Sequence, residues 1–372
     1  MKISLRILSI FILFSSVCSI SWATVLYGNG ALYLQSDSLV SGKRPYWEDE
    51  TVFGENKEDG HATFMPYATT ALLQADERYQ KPWLTPSQAE FLSLNGLWHF
   101  RYSPDARTAR TDFVEDLFDV SAWDTITVPS CWQMKGWDTP LYINVNHIFE
   151  DNPPFIRIQK TYTSAVDPNP TGSYRRDFIL PTGWEKKRVY LHFDGLYSGA
   201  YVWINGRYIG YTQGGNNDAE FDISAAVRAG QNNVSIQVVR WTDASYLEGQ
   251  DMFHMSGLHR DVYLYATPRT SIRDHYITSK LHPESDYTTG EISVAVEMDN
   301  RDGSAARKTV GIRLLDPQGK VLWEERKQTR LSVGEQKQSL HFRKADLRNL
   351  SLWTAETPTL YTLIITQWDE KE

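Results

Sequence analysis

The chain has 372 residues, 41% of them hydrophobic and 23% charged, which describes a soluble globular protein of two or three domains. A formal net charge of −8 leaves no basic stripe to neutralise phosphates and argues against nucleic acid as a partner. The 13 Trp and 20 Tyr favour thick β-sandwich cores and aromatic-lined sites, with carbohydrate handling as one candidate, while two cysteines leave no room for a disulfide framework or a cysteine metal site.

Met1 to Ala23 reads as a signal peptide. Lys2 and Arg6 give a positive start, Ile7 to Phe14 is a continuous apolar run, and Ser21-Trp22-Ala23 offers small residues at a cleavage site. Export to a periplasmic or extracellular location is expected, with no stable membrane span. A lipoprotein anchored through Cys18 is the weaker alternative, because Val17 stands where a small residue is expected. Residues 24–83 lack sustained periodicity and carry Gly, Pro and charge clusters, including Glu48 to Glu50. They read as an extended arm with a helical turn at Thr70 to Tyr79. Such an arm wraps a larger body or a neighbouring subunit, which leaves a homo-oligomer open.

Residues 84–268 carry the signals of an antiparallel sandwich, most simply a jelly roll. Leu97 to Tyr102 alternates apolar and polar, Thr125 to Val128 is a strand closed by Pro129, and Ser130 to Trp137 is an aromatic loop. Cys131 in that loop reads as a small packed residue. Asp151-Asn152-Pro153-Pro154-Phe155 is a rigid turn that presents the Asn152 amide, useful for gripping a hydroxyl and equally usual in an exposed turn. Short β-rich runs follow at Tyr174–Leu180, Arg188–Phe193, Gly199–Ile204, Tyr208–Thr212, Ala219–Ile223 and Val234–Trp241, with a hairpin signal at Asn205-Gly206.

The alternation of Val234 to Trp241 predicts a half-buried strand, and Asp261 to Tyr265 alternates again. The loop between them mixes Asp243, Glu248, Gln250, Asp251, His254, His259 and Arg260 with Trp241, Tyr246, Met252, Phe253 and Met255. Carboxylates and imidazoles among aromatic faces suit a sugar, whose hydroxyls need acceptors and whose C–H face needs flat apolar surface. The competing reading is a packed loop in which Asp251 caps a turn or pairs with Arg260.

Residues 269–372 alternate over six further runs with turns at Asp302-Gly303 and Asp316 to Gly319, an immunoglobulin-like count one strand short. The strand ending near Gln367 stands at the end of the chain, so a final strand and whatever follows it are expected to be missing.

The ordered motifs Leu94–Phe100, Val128–Gln133, Asp151–Phe155, Asn169–Arg176, Val202–Gly206, Ala219–Ile223 and Arg240–Tyr265 make the chain resemble the N-terminal, non-catalytic portion of glycoside hydrolase family 2 β-galactosidases of the large bacterial type. The resemblance covers about residues 76–370. It implies an all-β chain, a jelly-roll (galactose-binding-like) β-sandwich followed by an immunoglobulin-like β-sandwich, with the catalytic (β/α)₈ barrel absent. It implies that Asn152 and Asp251 bind a β-galactoside at the mouth of that barrel, with sodium also at Asp251 and magnesium held only in the barrel. Retaining glycosidases need two carboxylates about 5–5.5 Å apart. Glu248 and Asp251 share one loop and form no such opposed pair, so no catalytic residue is assigned here and the chain alone is expected to be inactive. Phe253 and His254 replace the family's frequent Trp-Arg after Gln-Asp-Met, and Cys131 stands where Asn is frequent. The alternative is a stand-alone carbohydrate-binding sandwich protein without hydrolase activity.

Overall fold

The computed structural model of the chain describes residues 44–144, 148–160, 168–334 and 337–369. The expected signal peptide and the start of the arm lie outside the described residues. The chain divides into two units, one holding residues through Asp59 together with Leu92–Tyr265, the other holding Gly60–Phe91 together with residues from Ala266 onward. The segment expected as a single arm is thus shared between the two.

The first unit is the jelly-roll sandwich. Its larger sheet has seven strands in the order Gly54–Glu55, Arg207–Gln213, Gly199–Ile204, Gly230–Val239, Thr171–Leu180, Gly96–Ser103 and Asp124–Val128. The smaller has four, in the order Ala219–Asp222, Arg188–Phe193, Val262–Thr267 and Phe91–Ser93. Asn205 and Gly206 both take positive φ, 51° and 79°, which is the paired left-handed geometry of a two-residue hairpin. That turn joins Gly199–Ile204 to Arg207–Gln213.

The strand Gly230–Val239 departs from its expected half-burial. From Asn232 to Val239 every residue is buried, Ser235 and Gln237 included. The reason is a third layer on the outer face of the large sheet. Tyr46 and Trp47 from the arm, Ala106, Phe113 and Val114, and Ile143, Ile148, Phe149, Ile156 and Ile158 pack with Tyr201, Trp203, Tyr211 and Val239 in one apolar cluster. Two long polar side chains on this face find partners within the protein. Arg175 donates to the carbonyls of Phe113, Glu115 and Asp116, and Gln237 Nε2 donates to Ser173 Oγ at 3.2 Å. A polar and apolar alternation therefore encodes two differently packed faces here, not one dry and one wet.

The second unit is the immunoglobulin-like sandwich, built from two three-stranded sheets. One is ordered Thr270–Leu281, Thr289–Asn300, Gln338–Arg348, the other Val321–Leu331, Ala306–Leu315, Thr362–Asp369. Ile292, Val294, Val296 and Met298 alternate onto a core shared with Val310, Ile312, Leu314 and Phe342. A short helix, Thr70–Ala75, opens with the Thr69 side chain accepting from Leu72 N, which satisfies one orphan donor of its first turn. The buried carboxylate of Asp76 accepts from the backbone N–H groups of Arg78, Ser87 and Gln88 and holds the rest of that segment in place.

Candidate functional site

The loop after Gly230–Val239 carries short regular elements of its own. Asp243–Tyr246 forms a 3₁₀ turn with a Thr242/Ser245 capping box, and Met252–His254 forms a strand. That strand pairs antiparallel with Leu141–Ile143, setting Met252 opposite Ile143, Phe253 opposite Tyr142 and His254 opposite Leu141. A two-stranded ribbon alone is marginal in water, so this one depends on anchors beneath it.

The anchors are polar and buried. Arg240 Nη1 meets Asp138 Oδ2 at 2.5 Å, and Nη2 donates to the carbonyls of Thr139 and His254. The Gln133 side chain takes the Ser256 N–H on Oε1 at 2.9 Å and donates to Asp138 from Nε2. His254, 1% exposed, joins Tyr197 Oη through Nδ1 at 2.9 Å and the Gln250 carbonyl through Nε2 at 3.1 Å. It is a structural residue of the ribbon. Glu248 accepts from Gly215 N at 2.6 Å, tying the loop to the Gly214–Asn217 turn. Burial raises the Glu248 carboxyl above its ordinary range, against the Gly215 N–H and the Tyr197 hydroxyl. Burial lowers the pKa of His259, helped by the charge of Arg260.

Asp251 is exposed at the start of the ribbon, and the Tyr142 hydroxyl donates to its Oδ1. The Arg260 pairing is not what the structure holds. Arg260 donates instead to the carbonyls of Asp194 and Asn216, and the partner of Asp251 is Tyr142. The exposed rings of Tyr142 and Phe253 meet edge to face, 5.5 Å apart.

Asn152 is exposed on its turn, as the two prolines suggested. Its carbonyl accepts from Phe155 N at 3.1 Å, and Pro153-Pro154 is a cis bond. Tyr246 Oη donates to the carbonyls of Glu150 and Phe155, at 3.0 and 2.7 Å, and so grips both ends of the turn. Phe149 meets Trp241 edge to face and lies tilted against Tyr246. The turn of Asn152 and the loop of Asp251 are thereby fastened to one aromatic cluster.

Sequence reasoning missed Tyr142, Asp138 and Glu48. Glu48 belongs to the arm, yet it is 7% exposed and accepts from Ile156 N and Arg157 Nη1 directly behind the Asn152 turn. Burial raises its pKa, with the Ile156 N–H and Arg157 pulling the other way. Only the acidic cluster Glu48 to Glu50 signalled it, and an acidic cluster in a loop usually means solvent.

Among the described residues no group of three or more His, Cys, Asp or Glu side chains is gathered as a metal site. No helix among them is long and apolar enough to cross a membrane. Cys131 is half-buried, and burial pushes its thiol up, away from nucleophilic reactivity.

A family model described as "Glycosyl hydrolases family 2, sugar binding domain" matches residues 91–268, and one described as "Glycosyl hydrolases family 2" matches residues 270–372. A β-galactosidase of Priestia megaterium is 35% identical over 328 residues, covering 86% of this chain and 30% of that protein. One of Psychromonas ingrahamii is 33% identical over 333 residues, covering 87% and 30%. The chain thus spans about 30% of the length of the curated relatives it matches. Among solved structures, Bacteroides uniformis β-glucuronidase 2 superposes with a TM-score of 0.59 at 22% identity, covering 76% of this chain and 30% of that one. A β-glycosidase from Bacteroides vulgatus gives 0.55 at 20% identity, covering 76% and 32%. These two likenesses speak to the fold alone.

Proposed function

The chain belongs to glycosyl hydrolases family 2, homologous to the N-terminal region of its β-galactosidases, and from that premise we propose that it supplies the sugar-gripping part of an exported, retaining β-galactosidase. In this reading the substrate is a terminal β-D-galactoside, and cleavage belongs to a barrel with which these sandwiches act. The observation that carries it is the placement of Asp251. An exposed carboxylate stands on a braced ribbon beside two exposed aromatic rings. That combination offers a strong hydroxyl acceptor next to flat apolar surface.

Asn152 contributes an amide able to donate to and accept from hydroxyls, presented on a turn that Tyr246 clasps at both ends. Sodium is a hard cation that takes oxygen ligands, and Asp251 would be the charged ligand of such an ion, with neutral oxygens completing the shell. Glu248 is turned inward onto Gly215 while Asp251 faces out onto Tyr142, so these two carboxylates do not oppose each other across a substrate. On its own the chain binds and does not cleave.

Ligand-observed NMR of the chain with methyl β-D-galactopyranoside, methyl β-D-glucopyranoside and methyl β-D-glucuronide tests the reading. Roughly millimolar binding is expected for the galactoside, weakened about tenfold by Asp251→Asn and several-fold by Asn152→Ala. Equal binding of all three sugars, or indifference to Asp251→Asn, would refute it.

A further inference from the structure

Side chains alternate across a two-stranded ribbon. His254 and Ile143 occupy its buried side, while Tyr142 and Phe253, directly opposite each other, stay 51% and 57% exposed. Asp251 shares the parity of Phe253, so it lies on the open side, one step diagonal from Tyr142 and within reach of a long side chain. The Tyr142 hydroxyl takes up that position and donates to Asp251 Oδ1. The tilt of the Tyr142 ring is set in turn by the edge-to-face contact with Phe253, at an interplanar angle of 66°. Beneath the ribbon, the bonds of His254 and Arg240 fix the backbone from which all three side chains project.

We propose that Tyr142 is a positioning residue for Asp251: its hydroxyl holds Oδ1 and leaves Oδ2 directed at a hydroxyl of the bound galactoside. The inference rests on reading Asp251 as a sugar ligand. An exposed aspartate otherwise spreads over several rotamers, and ordering it on binding draws on the interaction energy. A ring whose own tilt is fixed removes that loss before the sugar arrives. The same hydrogen bond raises the pKa of Tyr142, so the phenol remains a donor across the neutral range. Phe253 is then part of the device, because a side chain without a ring edge at that position would free Tyr142.

The test is a titration of methyl β-D-galactopyranoside, by ligand-observed NMR, into the full chain and its Tyr142→Phe, Asp251→Asn and doubly substituted forms. Tyr142→Phe keeps the ring against Phe253 and removes only the hydroxyl. It is expected to weaken binding about three- to tenfold, with Asp251→Asn losing about tenfold or more and the double variant losing no more than Asp251→Asn alone. A deoxygalactoside series gives a readout that a merely structural role would not move. The Tyr142→Phe deficit should vanish for the one deoxy sugar to which Asp251→Asn is also indifferent. If Asp251→Asn weakens binding and Tyr142→Phe stays within about twofold of the parent, the inference is wrong and the sugar reading stands. A Tyr142→Phe deficit that adds to that of Asp251→Asn, or that is uniform across the deoxy series, also overturns it. Indifference of both variants, or no binding by the parent, removes the reading of Asp251 and the inference with it.

Discussion

Arg240 and Asp138, 102 residues apart in the chain, meet as a buried ion pair with Nη1 to Oδ2 at 2.5 Å. Their side chains are 7% and 13% exposed, and Trp132 and Gln133 also donate to Asp138. Asp138 further sits at φ 63°, a left-handed position that Asp and Asn tolerate better than other non-glycine residues. Removing one partner of such a pair strands a buried charge, at a cost of about 3–5 kcal/mol. Asp138→Ala is therefore expected to lower the stability of the first unit by that amount. Asp138→Asn, which keeps the backbone preference and one acceptor, should lose about half as much. Urea unfolding followed by tryptophan fluorescence checks both, and a loss below about 1 kcal/mol for Asp138→Ala would show the pair to be dispensable.

Glu248 carries the opposite expectation. Burial raises its pKa, so the folded chain holds the proton at a pH where the unfolded chain has released it. Stability from this group is accordingly gained as pH falls from neutrality through the folded pKa toward 4.5, the ordinary glutamate value. Glu248→Gln keeps an acceptor for the Gly215 N–H and discards the charge. At pH 7.5 its stability should match or exceed the parent's by less than about 1 kcal/mol, since the group is partly exposed and solvent screens the effect. Urea midpoints at pH 5 and 7.5 decide it. A substantial loss on substitution at pH 7.5 would mean the carboxylate charge itself is needed.

What the sequence revealed, and what it hid, follows from the distance over which each signal acts. Asn205-Gly206 and the alternating runs beside it are local, and their strands lie where the residues say. The half-burial expected of Val234 to Trp241 gives way to full burial because the covering layer comes from Tyr46, Phe113, Ile143, Phe149 and Ile158, in segments with no periodicity of their own. The loop of Asp251 was visible through its composition. Tyr142 was not, because Leu141–Ile143 is too short for alternation to register and its partner strand lies beyond residue 250. Glu48 is one of a charge cluster in the arm and proves to be the buried brace behind Asn152.

The arm's attachment can be tested at Gly210. A Cβ there would collide with the carbonyl oxygen of Glu55 and approach Phe221 Cε1 at 2.8 Å. Neither neighbour yields easily, one being backbone and the other a fully buried ring. Gly210→Ala should therefore push the Gly54–Glu55 strand off its partner Arg207–Gln213, costing about 1–3 kcal/mol. Tyr208 to Glu55 and Asn56 to the Ile209 carbonyl would be strained with it. Limited proteolysis should then cut between residues 44 and 59 faster than in the parent. Gly60→Ala, where a Cβ meets no atom within 4 Å, is the silent control. Equal cleavage of the two variants would mean the arm is not held by this strand.

His192 supplies the sharpest pH dependence. Its ring lies between two carboxylates, Nδ1 at 3.1 Å from Glu220 and Nε2 at 3.3 Å from Asp194, and stacks on Tyr263. Glu220 also accepts from the Tyr265 hydroxyl at 2.7 Å. Burial pulls the imidazole pKa down, but the bonds and charges of Asp194 and Glu220 outweigh it and hold the value at about 9. The unfolded chain releases this proton near 6.5, the ordinary histidine value. Stability from the pair is thus complete below about 6.5 and is lost progressively as pH rises to about 9, amounting to about 2–4 kcal/mol across the window. Urea midpoints from pH 6 to 10 should fall over that interval in the parent. His192→Gln, which keeps polar contacts but cannot be charged, should start lower and show a flatter slope. A parent profile without a decline between pH 6.5 and 9 would mean that the ring is neutral between Glu220 and Asp194, with the carboxylate of Glu220 protonated in its place.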